Sequence, residues 1–251
     1  MPTEITTIAL LLFAFALGTY LQTITGFAFG LVVMGFIAAT NLYPLDKLAF
    51  IVSCLSMVNS TTALRGHAHL IDRRLLITTL LACIPSTIIG LWLLLYLNQS
   101  DQDVLKLILG ITLLLFAGLM MFKPKPLEQQ SSTKVIGFTG FIAGFMGGMF
   151  STYGPPIALL FYRQPLQLKV IIKTLLAVFW FTSLIRISAV VVLDTPNIDL
   201  VLLIVVCVPW IILCTQISKR LPLPFTDINM RRMSFGIVIV SGASLIVGFL
   251  N

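Results

Sequence analysis

Carboxylates are scarce in this chain. There are nine in 251 residues, and Glu4, Asp46, Asp72, Asp101, Asp103, Glu128, Asp194, Asp199 and Asp227 all fall between apolar runs or at their ends. Proton relays and many intramembrane cation sites are built on a buried carboxylate. A cation transporter or proton pump is therefore disfavoured from the outset. Histidine is confined to His67 and His69 in one basic loop, with no third ligand nearby, so no metal site is expected. The four cysteines, Cys54, Cys83, Cys207 and Cys214, lie inside apolar runs and read as small buried hydrophobes, not disulfides or metal ligands. No His, Asp and Glu cluster falls within an apolar run, so the sequence offers no catalytic residues and no cofactor site. Charged residues of both signs amount to 10%, against about 25% in a soluble domain.

What the chain has instead is hydrocarbon. It is 58% hydrophobic, with a mean hydropathy of +1.05. Six runs are long enough to cross a bilayer at about 20 residues each: 46–64, 74–97, 103–122, 168–192, 199–218 and 230–250. An all-α polytopic membrane bundle follows, forming a single transmembrane domain over 1–251 with the lipid bilayer as its surroundings. The apolar run at 8–17 has no Lys or Arg before it and no small-residue cleavage site after it, so it is expected to belong to the bundle and not to a signal peptide. The net charge of +7 is no nucleic-acid signature, because the basic residues sit mainly in the connections between runs. Four connections, 65–74, 123–134, 162–169 and 219–232, carry Lys or Arg, while 98–103 and 194–199 carry none. The positive-inside rule assigns the first four to the cytoplasm and the last two to the outside.

Two regions, 5–40 and 135–161, are apolar but interrupted, by "TITGFAFG" (23–30) and "STYGPP" (151–156). Region 135–161 must enter and leave on the cytoplasmic side, and its 27 or so residues are few for two full spans. A re-entrant helical hairpin with its tip at 151–156 is expected, and region 5–40 is expected to behave alike from the other face. The halves also echo one another. Cys83-Ile-Pro85 corresponds to Cys207-Val-Pro209, Asp101, Lys106 and Gly110 to Asp227, Arg232 and Gly236, and Thr25-Gly26 to Tyr153-Gly154. Three matches in one order suggest two repeats, about 5–122 and 135–250. Each is an interrupted hairpin followed by three spans, and an odd span number makes the second repeat inverted. Inverted repeats with broken helices characterise secondary transporters, with the site near the midplane where the breaks meet.

Irregular backbone inside a bilayer is tolerated only where it is buried in protein or lines a cavity. Pro155 and Pro156 suit a first helical turn, so a helix is expected to start at Pro155, with Ser151 or Thr152 near its cap. Gly26 is expected to start its counterpart. Two helix N-termini approaching one point would favour an anion, with hydroxyls of Thr23, Thr25, Ser151, Thr152 and Tyr153 as further donors. Arg186 and Lys173 lie inside the 168–192 run, where each either contacts substrate or snorkels to a membrane face. Asn59, Ser60, Thr61 and Thr62, with Trp180, Thr182 and Ser183, either line a pathway or form interhelical hydrogen bonds.

"LQTITGFAFGLVVMGF", "RGHAHLIDRR" and "AGFMGGMFSTYGPPIALLFY" resemble the TauE/SafE family of sulfite exporters, and the resemblance extends over nearly the whole chain. The first break departs from the family pattern, with fewer glycines and no proline, and its hairpin is expected to bend less sharply. The resemblance implies a multi-pass protein of the bacterial inner membrane that moves sulfite, a sulfonate or a related small organic anion. A negative cell interior drives an anion outward by about 2.3 kcal/mol per charge per 100 mV, so export needs no coupling ion. An anion channel and an importer of a small carboxylate stay open as alternatives, and a homo-oligomer is compatible with such a bundle.

Overall fold

A computed structural model describes residues 2–38, 43–121, 126–193 and 196–220, together with the single residues 239, 242, 243 and 246. The regular structure among them is helical: α1 (Pro2–Thr25), α2 (Phe29–Ala38), α3 (Leu45–Leu64), α4 (Arg73–Ser100), α5 (Gln102–Met121), α6 (Thr133–Phe150), α7 (Gly154–Phe161), α8 (Leu168–Leu193) and α9 (Ile198–Arg220), with one 3₁₀ turn at Ala68–Leu70. Five of the six expected spans appear as α3, α4, α5, α8 and α9. The sixth, 230–250, lies outside the described residues except for isolated positions, as do Lys123, Lys125, Asp227 and Gly236. Among the described residues, six helices are long and apolar enough to cross a membrane: α1, α3, α4, α6, α8 and α9. The outer faces suit lipid. Ile77, Leu81, Ile84, Ile88, Trp92 and Tyr96 recur every three or four residues along α4, all exposed. In water such a stripe would be a liability, whereas against acyl chains it costs nothing.

Glycines set how closely the helices approach. On α6, Gly140, Gly144 and Gly148 are spaced four apart and form one seam. A Cβ on Gly140 would lie 2.9 Å from the carbonyl oxygen of Thr79, and one on Gly144 would meet Cys83 and the Ser86 hydroxyl. A Cβ on Gly148 would strike the carbonyl oxygen of Thr87, and α4 answers with Gly90 against the carbonyl of Phe145. So α4 and α6 touch backbone to backbone. Elsewhere α3 packs against α8 and α9, and α1 against α2 and α9.

Both interrupted regions fold back on themselves. Phe29 of α2 stacks on Phe15, and Phe36 lies against Phe13, so α2 returns antiparallel to α1. The α6–α7 hairpin is closed at its base, where Gln164 donates to the Ser131 hydroxyl and accepts from the Ser131 backbone N–H. Each break takes three residues, 26–28 and 151–153. The first turns as tightly in residue count as the second despite having no proline, because Gly26 (φ 78°) and Ala28 (φ 93°) supply the left-handed backbone.

The described parts of the basic connections gather at one end of the bundle. Arg74 donates to Gln130 and to the carbonyl of Ser131. The Asp72 N–H donates to Thr174. Lys173 and Lys219 donate to the carbonyls of Ala63 and Thr62 in the last turn of α3, where a helix C-terminus favours cations. Lys173 is thus a helix cap. The connections without Lys or Arg lie at the opposite end, with Asp46 and Asn197 around one cavity.

Candidate functional site

The two breaks lie against one another. Gly26 ends α1 in the left-handed conformation, its N–H bonded to the Gln22 carbonyl at 2.8 Å, and α2 begins only at Phe29. The expectation that Gly26 starts the second helix is therefore corrected: glycine at this position terminates a helix. The helix α7 opens at Gly154, one residue before the expected Pro155, with Pro155 and Pro156 in the first turn, and Tyr153 stands at the cap position with no side-chain capping bond, its hydroxyl donating instead to the Thr182 carbonyl at 3.4 Å. Ser151 does not cap α7 but closes α6. Its φ is 56° and its N–H bonds the Gly147 carbonyl at 2.7 Å. Ala28 and Ser151 are the non-glycine residues with positive φ among those described, one per break. Such strain persists only where the surroundings enforce it.

The breaks press on each other. A Cβ on Gly30 would collide with the carbonyl oxygen of Ser151, and one on Gly154 would lie 3.1 Å from the Phe27 ring. Tyr162, just past α7, donates its hydroxyl to the carbonyl of Thr25. The Tyr153 ring folds back over Gly147, where no side chain fits beside it, and lies edge-on to Phe179.

Around this junction the expected polar residues fall into two groups. In the first, Arg186 is fully buried. Its Nε donates to the Gly148 carbonyl at 3.0 Å and its Nη1 to the Ser53 hydroxyl at 3.1 Å. Ser53 and Ser151 are 3.0 Å apart, oxygen to oxygen. The Nη2 of Arg186 has no hydrogen-bond partner among the described residues, nor has the buried Thr152 hydroxyl. No salt bridge to Arg186 is formed there; the one present joins Lys106 and Asp103. Arg186 lies seven residues, about 10 Å, from the last residue of α8, yet its head turns inward, so it does not snorkel.

In the second group Asn59 accepts from Thr23 and Thr215 at 2.9 and 3.0 Å, and Gln22 donates to Ser56 and Ser60. These side chains are all buried. The single point where every expected donor converges is thus replaced by two groups. Ser53, Ser56 and Ser60, spaced three and four residues apart on one face of α3, join them. The Thr25 hydroxyl is engaged locally, with the carbonyls of Leu21 and Phe27. Thr61 faces outward and accepts from Trp180. Gln22, Ser53, Ser56 and Thr215 were not singled out from the sequence. The i, i+3, i+7 spacing of the three serines in an apolar helix was the available signal.

A cavity of about 240 Å³ runs from the end of the bundle opposite the basic connections down to Arg186. Asp46, Lys47 and Asn197 ring its outer part, and Phe50, Leu91, Val190 and Arg186 its inner part. Arg186 belongs to the wall although water does not reach it. Its chemistry is that of an anion receptor: a fixed cation with unsatisfied donors, flanked by hydroxyls, in apolar surroundings. Among the described residues no cluster of His, Cys, Asp and Glu is placed to hold a metal, and all four cysteines are free.

The profile of the family described as "Sulfite exporter TauE/SafE" matches residues 10–245. The chain is 35% identical over 231 residues to "Probable sulfite/organosulfonate exporter TauE" of Cupriavidus necator, covering 92% of this chain and 90% of that protein. No solved structure matches it significantly.

Proposed function

The chain belongs to the TauE/SafE sulfite exporter family and is a multi-pass membrane transporter; from that premise we propose that it exports sulfite, a sulfonate or a related small organic anion through the Arg186 site. The observation that carries this reading is the fully buried Arg186 with an unpartnered Nη2 and no salt-bridged carboxylate among the described residues. A buried charge without a counter-ion is costly, and an anionic substrate would satisfy it for part of the transport cycle. Ser151, Thr152 and Ser53 then supply hydroxyl donors, and Tyr153 with Gly154 holds the break that presents them. Thr23, Thr25 and Gly26 flank the first break, with Asn59 of α3 bonded to Thr23 beside it, and the serine face of α3 leads from the Arg186 group to them.

The cycle proposed is alternating access about these breaks. Two inverted repeats provide its symmetry. A pseudo-twofold relation of α1–α5 to the second half pairs α3 with α8, α4 with α9 and α1 with α6. It maps the α3–α8 contact onto itself and the α4–α6 contact onto α9–α1, and all three contacts are present. Pro85 and Pro209 fall inside the paired helices α4 and α9. The breaks are of equal length, and the closed base of the α6–α7 hairpin supports a re-entrant path. With the cavity reaching Arg186 from one end, and Lys173, Lys219 and Tyr162 bonded across the other, the arrangement supports an outward-facing state.

Flux of labelled sulfite from proteoliposomes under an imposed potential tests the reading. Saturable efflux that follows the potential and is lost in Arg186→Gln is expected. Flux unaffected by Arg186→Gln would refute the site, and flux linear in concentration to high millimolar would indicate a channel.

A further inference from the structure

The cavity that leads to Arg186 holds a second unpaired charge of the opposite sign. Asp46 stands in the first turn of α3 and lines the cavity beside Lys47. Its Oδ1 is buried and has no hydrogen-bond partner among the described residues. It forms no salt bridge with Arg186 or Lys47. A carboxylate in a helix's first turn stabilises the helix N-terminus, and that alone would explain an aspartate here. It would not explain why the carboxylate faces the same cavity as the buried guanidinium of Arg186. Both are carried by helices packed on one another, α3 and α8, and the space between them is large enough for a small oxyanion.

Resting on the reading of Arg186 as the anion site, we infer that Asp46 is the release residue of the exporter: its fixed negative charge lowers the affinity of the outward-open site for the anion and speeds its departure. An exporter must bind its substrate from the inside and lose it outside. A carboxylate on the outer side of the site repels the anion only in the state open to that cavity. It also partly neutralises the field of Arg186 once the anion has left, which eases the return of the empty carrier. Lys47, at the same mouth, acts with the opposite sign. Being exposed, it is the more strongly screened of the two. The residue thus favours release in one of two states by differential affinity, while the membrane potential sets the direction of net flux.

The test is sulfite binding to the purified full-length protein in detergent, read as dissociation constant and dissociation rate. Asp46→Asn is expected to bind sulfite about two- to tenfold more tightly and to release it more slowly. That range follows from two unit charges on the order of 10 Å apart between aqueous and interior permittivity. Lys47→Gln is expected to weaken binding. Asp46→Glu, which keeps the charge, is expected to match the wild type. Asp46→Ser, which keeps a small polar side chain in the helix's first turn, serves where the asparagine variant is unstable. A purely structural Asp46 would weaken binding when replaced, so weaker or unchanged affinity in both Asp46→Asn and Asp46→Ser overturns the inference. If the wild type binds sulfite and Arg186→Gln does not, the anion site survives that outcome. If the wild type binds no sulfite, or Arg186→Gln binds it as well, the site itself falls and the role of Asp46 with it.

Discussion

Replacing Arg186 by Gln separates the demands of folding from those of binding. In the free protein Arg186 makes two hydrogen bonds, to the Gly148 carbonyl and the Ser53 hydroxyl, and leaves Nη2 without a partner. Gln removes those bonds but also removes an unpaired buried charge. The two effects oppose one another, so the unliganded variant should unfold close to the wild type. In the liganded protein the balance is one-sided. Each hydrogen bond between charged groups contributes about 1.5–3 kcal/mol, and at 1.36 kcal/mol per decade losing the Nη2 contact weakens sulfite binding roughly tenfold to hundredfold. The assay is thermal unfolding in detergent across a sulfite titration. At a ligand concentration of a hundred times Kd, wild type gains about 2.7 kcal/mol. A hundredfold weaker variant at that same concentration gains about 0.4 kcal/mol. Equal ligand stabilisation in wild type and Arg186→Gln would refute the reasoning, because it would mean that the guanidinium does not touch the anion.

Other expectations test the architecture around that site. Gly30→Ala puts a Cβ against the Ser151 carbonyl, a backbone atom that no rotamer change can move; it should lose about 1–3 kcal/mol of stability and most transport, while Gly137→Ala, with nothing within 4 Å, should be neutral or slightly stabilising in the same melts. Lys173→Gln removes a cap from the last turn of α3; it should lower stability by about 0.3–1 kcal/mol and leave sulfite affinity within twofold, measured by the same titration. Gly144→Leu should force α6 away from Cys83 and Ser86 of α4 and abolish folded protein as judged by size-exclusion chromatography. Cys83 and Cys207 are free and buried, so thiol reagents should modify them only after denaturation, and mild oxidant should produce no crosslink between them.

Much of the bundle was legible in the linear chain because the cause is local. An apolar run of about 20 residues must become a helix in a bilayer, since no water is there to satisfy its backbone. That argument located α3, α4, α5, α8 and α9. The same local chemistry marked both breaks, as glycine and proline disrupt a helix wherever they fall. It misjudged Gly26, because a glycine beside a break serves equally to end one helix or begin the next, and only the path of the chain decides. The sequence also flagged Arg186, because a cation inside an apolar run is expensive wherever its partner lies. It did not reveal which groups meet that cation. Ser53 is 133 residues from Arg186 and 98 from Ser151, and nothing in the local pattern of α3 distinguishes a serine that bonds only its own backbone from Ser53, which donates to the Ala49 carbonyl and also receives a guanidinium. The division of the polar residues into two groups, the Lys173 cap on α3, and the cavity shared by Asp46 and Arg186 arise from how α3 packs against α8 and α9. Spans and breaks follow from each segment's own transfer energy, whereas partners follow from which segments lie side by side, and only the folded bundle sets that.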